Sequence, residues 1–269
     1  MPKAAPPDRP TALVTGASSG IGEALSHCFA AAGHDLVLVA RSADKLQALA
    51  AELMQTYAVQ VWALPCDLAV PGAAATLAGR LKRKRRRVDV LVNNAGVLSQ
   101  GAFVSMTPGQ HQQMIDLNIT GLTAMLAQFV PPMVAQRSGR VLNVASIGAF
   151  QPVPSLATYA ATKAYVLSLS ESLAEELRGS GVTVSALCPG ITATNMVSAA
   201  KDANAQLGQI PDFLIGDVND VARQGFEACM RGDAICVPGV LNRAAMLASR
   251  GTPKWLVRRI GGLLGRKAL

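Results

Sequence analysis

A short β-branched and apolar run, Thr11 to Thr15, ends directly in Gly16-Ala17-Ser18-Ser19-Gly20-Ile21-Gly22, and an amphipathic stretch follows. That order reads as strand, loop, helix. Glycine in such a loop permits a tight turn and lets backbone amides approach a phosphate, while the helix opening near Ile21 turns its positive end to the same spot. The spacing is Gly-x-x-x-Gly-x-Gly, which departs from the common Gly-x-Gly-x-x-Gly dinucleotide fingerprint. As a plain strand-helix turn, the loop would constrain little else. As a phosphate cradle, it requires parallel strands with helices between them.

The rest of the chain has that pattern. Apolar runs near Asp35 to Ala40, Val59 to Pro65, Val88 to Val92, Arg140 to Val144, Val182 to Leu187 and Ala234 to Val237 show no polar alternation, as expected of strands buried on both faces of a parallel sheet. Helical segments separate them. Ser42 is placed to cap a helix running to about Tyr57, Thr107-Pro108 gives a cap followed by proline, and Asp217 opens another helix. The expected fold is α/β: a Rossmann-like, doubly wound parallel sheet of about seven strands with helices on both faces, a three-layer sandwich. The 269 residues suit one domain. The proline-rich residues 1–10 lack an apolar h-region and read as a disordered lead-in. Residues 11–237 read as the dinucleotide-binding and catalytic domain, and 238–269 as a basic helical extension of it. No uninterrupted apolar stretch is long enough for a bilayer, so a soluble protein is expected.

Tyr159 and Lys163 lie four residues apart, thirteen positions after Ser146. A phenol titrates near pH ~10 and trades protons at neutral pH only if its phenolate is stabilised. On a helix, a spacing of four puts the Lys163 ammonium on the face of Tyr159. Ala160, Ala161, Thr162 and Ala164 keep that helix slim. Alone, such a pair would more often be surface decoration.

In their joint order, TGASSGIG, Asn93-Asn94-Ala95-Gly96, Asn118, Ser146, Tyr159-x-x-x-Lys163 and Pro189-Gly190 resemble the single-domain branch of the short-chain dehydrogenase/reductase family, from Thr11 to about Val237. The resemblance implies hydride transfer between a nicotinamide cofactor and a carbonyl or secondary alcohol, with Tyr159 giving or taking the proton. It assigns Ser146 to steady the substrate oxygen and Lys163 to hold the nicotinamide ribose and bias Tyr159. Asn118 would anchor a water relay to the lysine and kink its helix, although an Asn inside a helix can also bond its own backbone. For the cofactor it implies Gly16, Ser18, Ser19, Gly20, Ile21 and Gly22 around the pyrophosphate, and Asp67 at the adenine amino group or as a helix cap. Asn93 would tie strands together, being partly structural, with Ala95 and Gly96 against adenosine. Pro189, Gly190, Thr192 and Thr194 would meet the nicotinamide carboxamide and pyrophosphate.

Ala40 stands where NAD-preferring relatives carry an acid, and Arg41 follows at a helix N-terminus, where the dipole disfavours a cation. A bound 2′-phosphate explains that choice, so NADP(H) is expected over NAD(H), with Ser18 and Ser42 assisting; an Arg41 that merely reaches solvent or a neighbouring carboxylate such as Asp44 is the alternative. From Asn195 to Gly216 periodicity is lost, as in a lid over substrate, and Leu98, Gln151, Met196 and Phe213 are candidate walls for a small, lipophilic substrate. Relatives dimerise through helices that here correspond to Thr107 to Val134 and Ala157 to Arg178, so a homodimer is expected, with a tetramer as the larger option. Two other readings are a non-catalytic NADP-binding sensor or scaffold, and an epimerase or dehydratase, for which the chain lacks length.

The formal charge of +8 comes from two places. Lys82 to Arg87 is a run of six cations, and the tail from Thr252 adds Lys254, Arg258, Arg259, Arg266 and Lys267. These eleven exceed the net charge, so the remainder is net acidic and no nucleic-acid partner is expected. The run reads as a solvated face, with an anionic partner or membrane surface as the alternative. In the tail, Leu256, Ile260, Leu263 and Leu264 share a face opposite Lys254 and Arg258, which allows peripheral membrane contact or packing on the protein itself. Gly261, Gly262 and Gly265 weaken that helix. Cys28, Cys66, Cys188, Cys229 and Cys236 are odd in number and scattered, as suits buried thiols in the cytoplasm. His27, His34 and His111 share no ligand spacing, so no metal is expected.

Overall fold

Runs of Val, Leu and Ala bury both faces of the sheet they form, which places helices above and below it. The computed structural model describes residues 9–192, 215–240, 242–244 and 246. In chain order the elements are β1 (Thr11–Thr15), α1 (Gly20–Ala31), β2 (Asp35–Ala40), α2 (Ala43–Tyr57), β3 (Val61–Pro65), α3 (Ala73–Arg83) and β4 (Val90–Asn93). There follow α4 (Pro108–Ile115), a π-helical turn (Asp116–Gly121), α5 (Leu122–Ala135), β5 (Gly139–Val144), α6 (Ala157–Glu176), β6 (Val182–Leu187), α7 (Val218–Arg231) and β7 (Ile235–Cys236). All pairings are parallel, in the order β3-β2-β1-β4-β5-β6-β7. The Rossmann-like α/β fold is therefore as the sequence implies. β1 pairs with β2 on one side and β4 on the other, so winding reverses there, and the crevice at the carboxyl ends of these strands is where such sheets bind ligands.

Alternate strand residues feed two cores. Ala12, Val14, Leu36, Leu38, Val90 and Val92 pack under α1, α2 and α7, where Leu25, Phe29, Leu46, Leu53 and Cys229 meet them. Leu13, Val37, Leu91, Val141 and Val184 face Leu77, Leu81, Met125, Phe129, Met133 and Val166 of α3, α5 and α6. The stretch Pro108–Ala135 is, among the described residues, long and apolar enough to cross a bilayer at a mean hydropathy of 1.2. Here its Met114 is buried, and its Leu122, Met125, Phe129 and Met133 pack with the core residues of the sheet. The long helix expected from Thr107 to Val134 is divided by the π-helical turn.

Arg9 Nη1 donates to Ala58 O at 2.6 Å, and Asp35 N donates to Pro10 O at 2.9 Å. The basic run is only partly a solvated face, because the Arg86 guanidinium lies 3.5 Å from the Trp62 ring centroid and Arg87 Nε pairs with Asp89 at 2.6 Å. Asp89 also accepts from Thr11 N at 2.9 Å, tying the run to the first strand.

Before β6, Gly181 adopts φ 83°, and a Cβ there would collide with the Arg137 carbonyl. Gly181→Ala is expected to destabilise the fold by about 2 kcal/mol or more, read as a lowered midpoint in chemical denaturation.

Candidate active site

The loop after β1 holds Gly16 at φ 65° and Gly20 at φ 58°, conformations that favour glycine. A Cβ on Gly22 would strike the Gly16 carbonyl, so Gly22 seats α1 on the loop. The loop is knotted to the end of β4. Thr15 Oγ1 donates to Val92 O (3.1 Å) and accepts from the amides of Asn94 (2.9 Å) and Ala95 (3.0 Å). Asn94 Nδ2 returns to Thr15 O at 2.9 Å and Gly16 O at 3.2 Å. Asn93 turns away: its Nδ2 donates to Asn143 Oδ1, and Asn143 Nδ2 to Ser170 Oγ on α6, both at 2.9 Å.

Ser19 and Ser42 stand at the N-caps of α1 and α2, yet neither side chain makes a capping bond. Elsewhere caps are made: Gln110 N donates to Thr107 Oγ1 at 3.3 Å and Asp220 N to Asp217 Oδ1 at 2.9 Å. Two helix N-termini therefore meet the crevice with uncommitted hydroxyls, as an anion-binding cradle requires. Arg41 is exposed at the crevice, and among the described residues no carboxylate, Asp44 included, pairs with it. Asp67 Oδ1 accepts from Ala69 N at 3.0 Å, a local cap. These residues fit a dinucleotide.

Ser146 follows β5 and accepts from Gly148 N at 3.1 Å. Tyr159 and Lys163 descend from the first turns of α6. Lys163 is buried, its Nζ donating to Val144 O at 2.8 Å, and burial pulls its pKa down to about 8. Burial also pushes the Tyr159 phenol above its usual range, while a hydrogen bond with Ser146 opposes the shift. The ammonium lies 5.8 Å from the Tyr159 ring centroid. Desolvation is therefore the larger influence on the phenol and holds it above its ordinary range.

Asn118 sits at the π-helical turn, a feature frequent at functional sites. Its Oδ1 accepts from Val97 N, and its Nδ2 donates to Val97 O, both at 2.9 Å. The same Nδ2 reaches Thr162 Oγ1 at 3.1 Å, and that hydroxyl donates to Tyr159 O at 2.7 Å. A Cβ on Gly96 would lie 3.3 Å from Asn118 Oδ1 and 3.5 Å from Lys163 Nζ, so glycine keeps the gap between the two groups open.

One cavity of about 620 Å³ gathers the sequence-predicted residues. Every one lines it except Gly22, Asn93, Asn118 and Thr194. Asn118 stands behind the wall, Gly22 and Asn93 are structural, and Thr194 lies outside the described residues, as do Met196 and Phe213. Asn94 lines the wall where Asn93 was expected, and Leu98 and Gln151 line it as proposed. His111 was unforeseen: Nδ1 meets Thr158 Oγ1 at 2.8 Å, Nε2 meets Phe103 O at 3.3 Å, and its ring is 4.4 Å from that of Phe103. Among the described residues no cluster of metal-ligating side chains occurs.

Fold and cavity define a Rossmann-like, nucleotide-binding α/β protein. The sequence model of the short chain dehydrogenase family matches residues 10–205, and the chain belongs to that family of oxidoreductases. It is 37% identical over 198 residues to oxidoreductase UcpA of Escherichia coli (strain K12), covering 73% of this chain and 74% of that one. Among solved structures it resembles a short-chain dehydrogenase from Sphingobium yanoikuyae in complex with NADPH, at 35% identity and a TM-score of 0.79 over 91% of this chain and 96% of that one. It also resembles the bulky-bulky ketone specific alcohol dehydrogenase from Comamonas testosteroni, at 29% identity and a TM-score of 0.75 over 91% and 95% of the two chains.

The lowered Lys163 pKa has a thermodynamic sign. The unfolded lysine holds its proton to about pH 10.5 and the folded one to about 8. The penalty of the buried charge is therefore complete below pH 8 and relieved as pH rises through that window. Between pH 7.5 and 9 the wild type should gain about 1 kcal/mol of unfolding free energy relative to Lys163→Met, measured by denaturant titration of both proteins.

Proposed function

We propose that the protein reduces the carbonyl of a small lipophilic molecule, or oxidises the corresponding secondary alcohol, with NADP(H). The observation that carries this reading is the Tyr159 phenol, hydrogen-bonded to Ser146 in the cavity that also holds the unpaired Arg41. When bound, the nicotinamide supplies or accepts the hydride. Tyr159 donates its proton to the carbonyl oxygen as general acid, and Ser146 orients that oxygen by a second hydrogen bond. Lys163, anchored on Val144 O, presents its remaining N–H donors to the nicotinamide ribose and offsets the charge left on Tyr159. Leu98, Val153 and Leu156 give the wall beyond Tyr159 an apolar lining, which supports a lipophilic substrate, as does the solved relative specific for bulky ketones.

Arg41, with Ser18 and Ser42, supports NADP(H) over NAD(H), and Asp67 with Ala95 and Gly96 supports adenosine binding. The domain assignment stays with residues 11–237 as the catalytic unit. Ile115 and Tyr165, partly exposed on α4 and α6, suit a homodimer formed through these helices. Five free thiols suit the cytoplasm.

The test is absorbance-monitored turnover of NADPH and NADH against ketones and aldehydes. Tyr159→Phe should lower kcat by roughly 10²–10⁴-fold with NADPH binding retained. NADPH binding without turnover by any carbonyl compound would favour the sensor reading. Arg41→Ala should weaken NADPH binding about tenfold or more and leave NADH unaffected. For reduction, kcat/KM should be level below about pH 8 and fall above it, as Lys163 loses its proton. Gly96→Ala, which fills the gap between Asn118 and Lys163, should lower kcat about tenfold or more with the melting temperature little changed.

A further inference from the structure

α3 ends in a turn in which Arg86 N donates to Leu81 O and Arg85 N to Lys82 O, each at 2.9 Å. This puts Arg85 at φ 51°. α5 ends the same way, with Arg137 N bonded to Val134 O at 2.9 Å, Ser138 N to Met133 O at 3.1 Å, and Arg137 at φ 54°. Glycine is the favoured residue at this left-handed position, and a side chain there is strained. Both helices instead place an arginine on it.

α3 and α5 pack in the same layer and lead into the adjacent strands β4 and β5. Arg85 and Arg137 therefore emerge together at the amino-terminal edge of the sheet, with Lys82, Arg83 and Lys84 beside them. All five are exposed. Among the described residues none has a carboxylate within ion-pair distance, whereas Arg87 and Arg178 are paired with Asp89 and Glu175. Cations in a last helical turn complement the dipole, but that effect explains neither four consecutive cations nor arginine at two glycine-favouring positions.

We propose that this patch docks the protein on an anionic membrane surface. A cluster of this size matches what anionic bilayers attract. The patch offers no free aromatic face for stacking bases, because Trp62 is covered by Arg86, which disfavours single-stranded nucleic acid. The cavity opens at the carboxyl ends of the strands, about 20 Å away along a six-residue strand such as β5. That separation exceeds the Debye length of about 8 Å at physiological salt. An anionic cofactor thus reaches the cavity unhindered by the charge of the surface below.

The experiment is sedimentation of the full chain with phosphatidylcholine vesicles, pure or containing roughly one third phosphatidylserine, at physiological ionic strength. Binding is expected only to the anionic vesicles, with release at about 0.5 M salt. The combined variant Lys82→Gln, Arg83→Gln, Lys84→Gln and Arg85→Gln should bind at least ~100-fold more weakly, since each cation contributes roughly fivefold. Its melting temperature and cofactor turnover should be unchanged. Arg85→Gly alone should melt higher and bind roughly fivefold more weakly. Absence of binding to anionic vesicles would overturn the proposal. So would equal binding by the combined variant, which would assign the attraction to the basic tail, or tighter binding to single-stranded RNA at the same salt.

Discussion

The hydroxyl of Thr15 is the point on which the site hangs. It closes the seam between β1 and β4, where the winding of the sheet reverses, by holding Val92 O and the amides of Asn94 and Ala95 at 2.9–3.1 Å. Backbone ladders hold most of the length of neighbouring parallel strands. At their carboxyl ends here the ladder stops, and the strands would splay without a side-chain lock. Asn94 completes the lock from the other side through Thr15 O and Gly16 O. The phosphate loop and the Ala95-Gly96 wall are thereby set relative to each other before any ligand arrives, which is what pre-organisation for binding means physically.

Below that seam, the chemistry is governed by exclusion of water. Tyr159 and Lys163 share a helix face, but their pKa shifts share one dominant cause, desolvation, and it drives both groups toward their neutral forms. The lysine is kept useful by Val144 O and the tyrosine by Ser146. Two further layers stand behind them: Thr162 links Asn118 to the Tyr159 carbonyl, and His111 fastens Thr158 to the turn at Phe103. The catalytic helix is thus gripped from two sides by side chains that never reach the cavity.

The parallel sheet was legible because its strands lack polar alternation, and β2 and β6 were placed to the residue for that reason. The cofactor crevice was legible because glycine positions and strand ends are local signals. Asn93 and Asn94 were not separable in this way. Successive residues at a strand end point in different directions, and sequence does not say which of two identical amides faces the seam. Gly22 lies outside the cavity, and what requires glycine there is a helix seated on a loop. His111 was invisible because its partner lies 47 residues away in the chain. Spacing alone reports a neighbouring charge on Tyr159 and not the depth at which both groups are buried.

The π-helical turn at Asp116–Gly121 bears on how the chain tolerates insertions and deletions. A π turn holds one more residue than the α-helical turn it interrupts, so α4 and α5 are out of phase by about 100° relative to a continuous helix. Removing one residue anywhere in that turn would restore regular hydrogen bonding and look harmless in an alignment. It would also rotate α5 by that angle, swinging Met125, Phe129 and Met133 off the sheet. The length of this one helical segment is therefore held fixed by the core it serves.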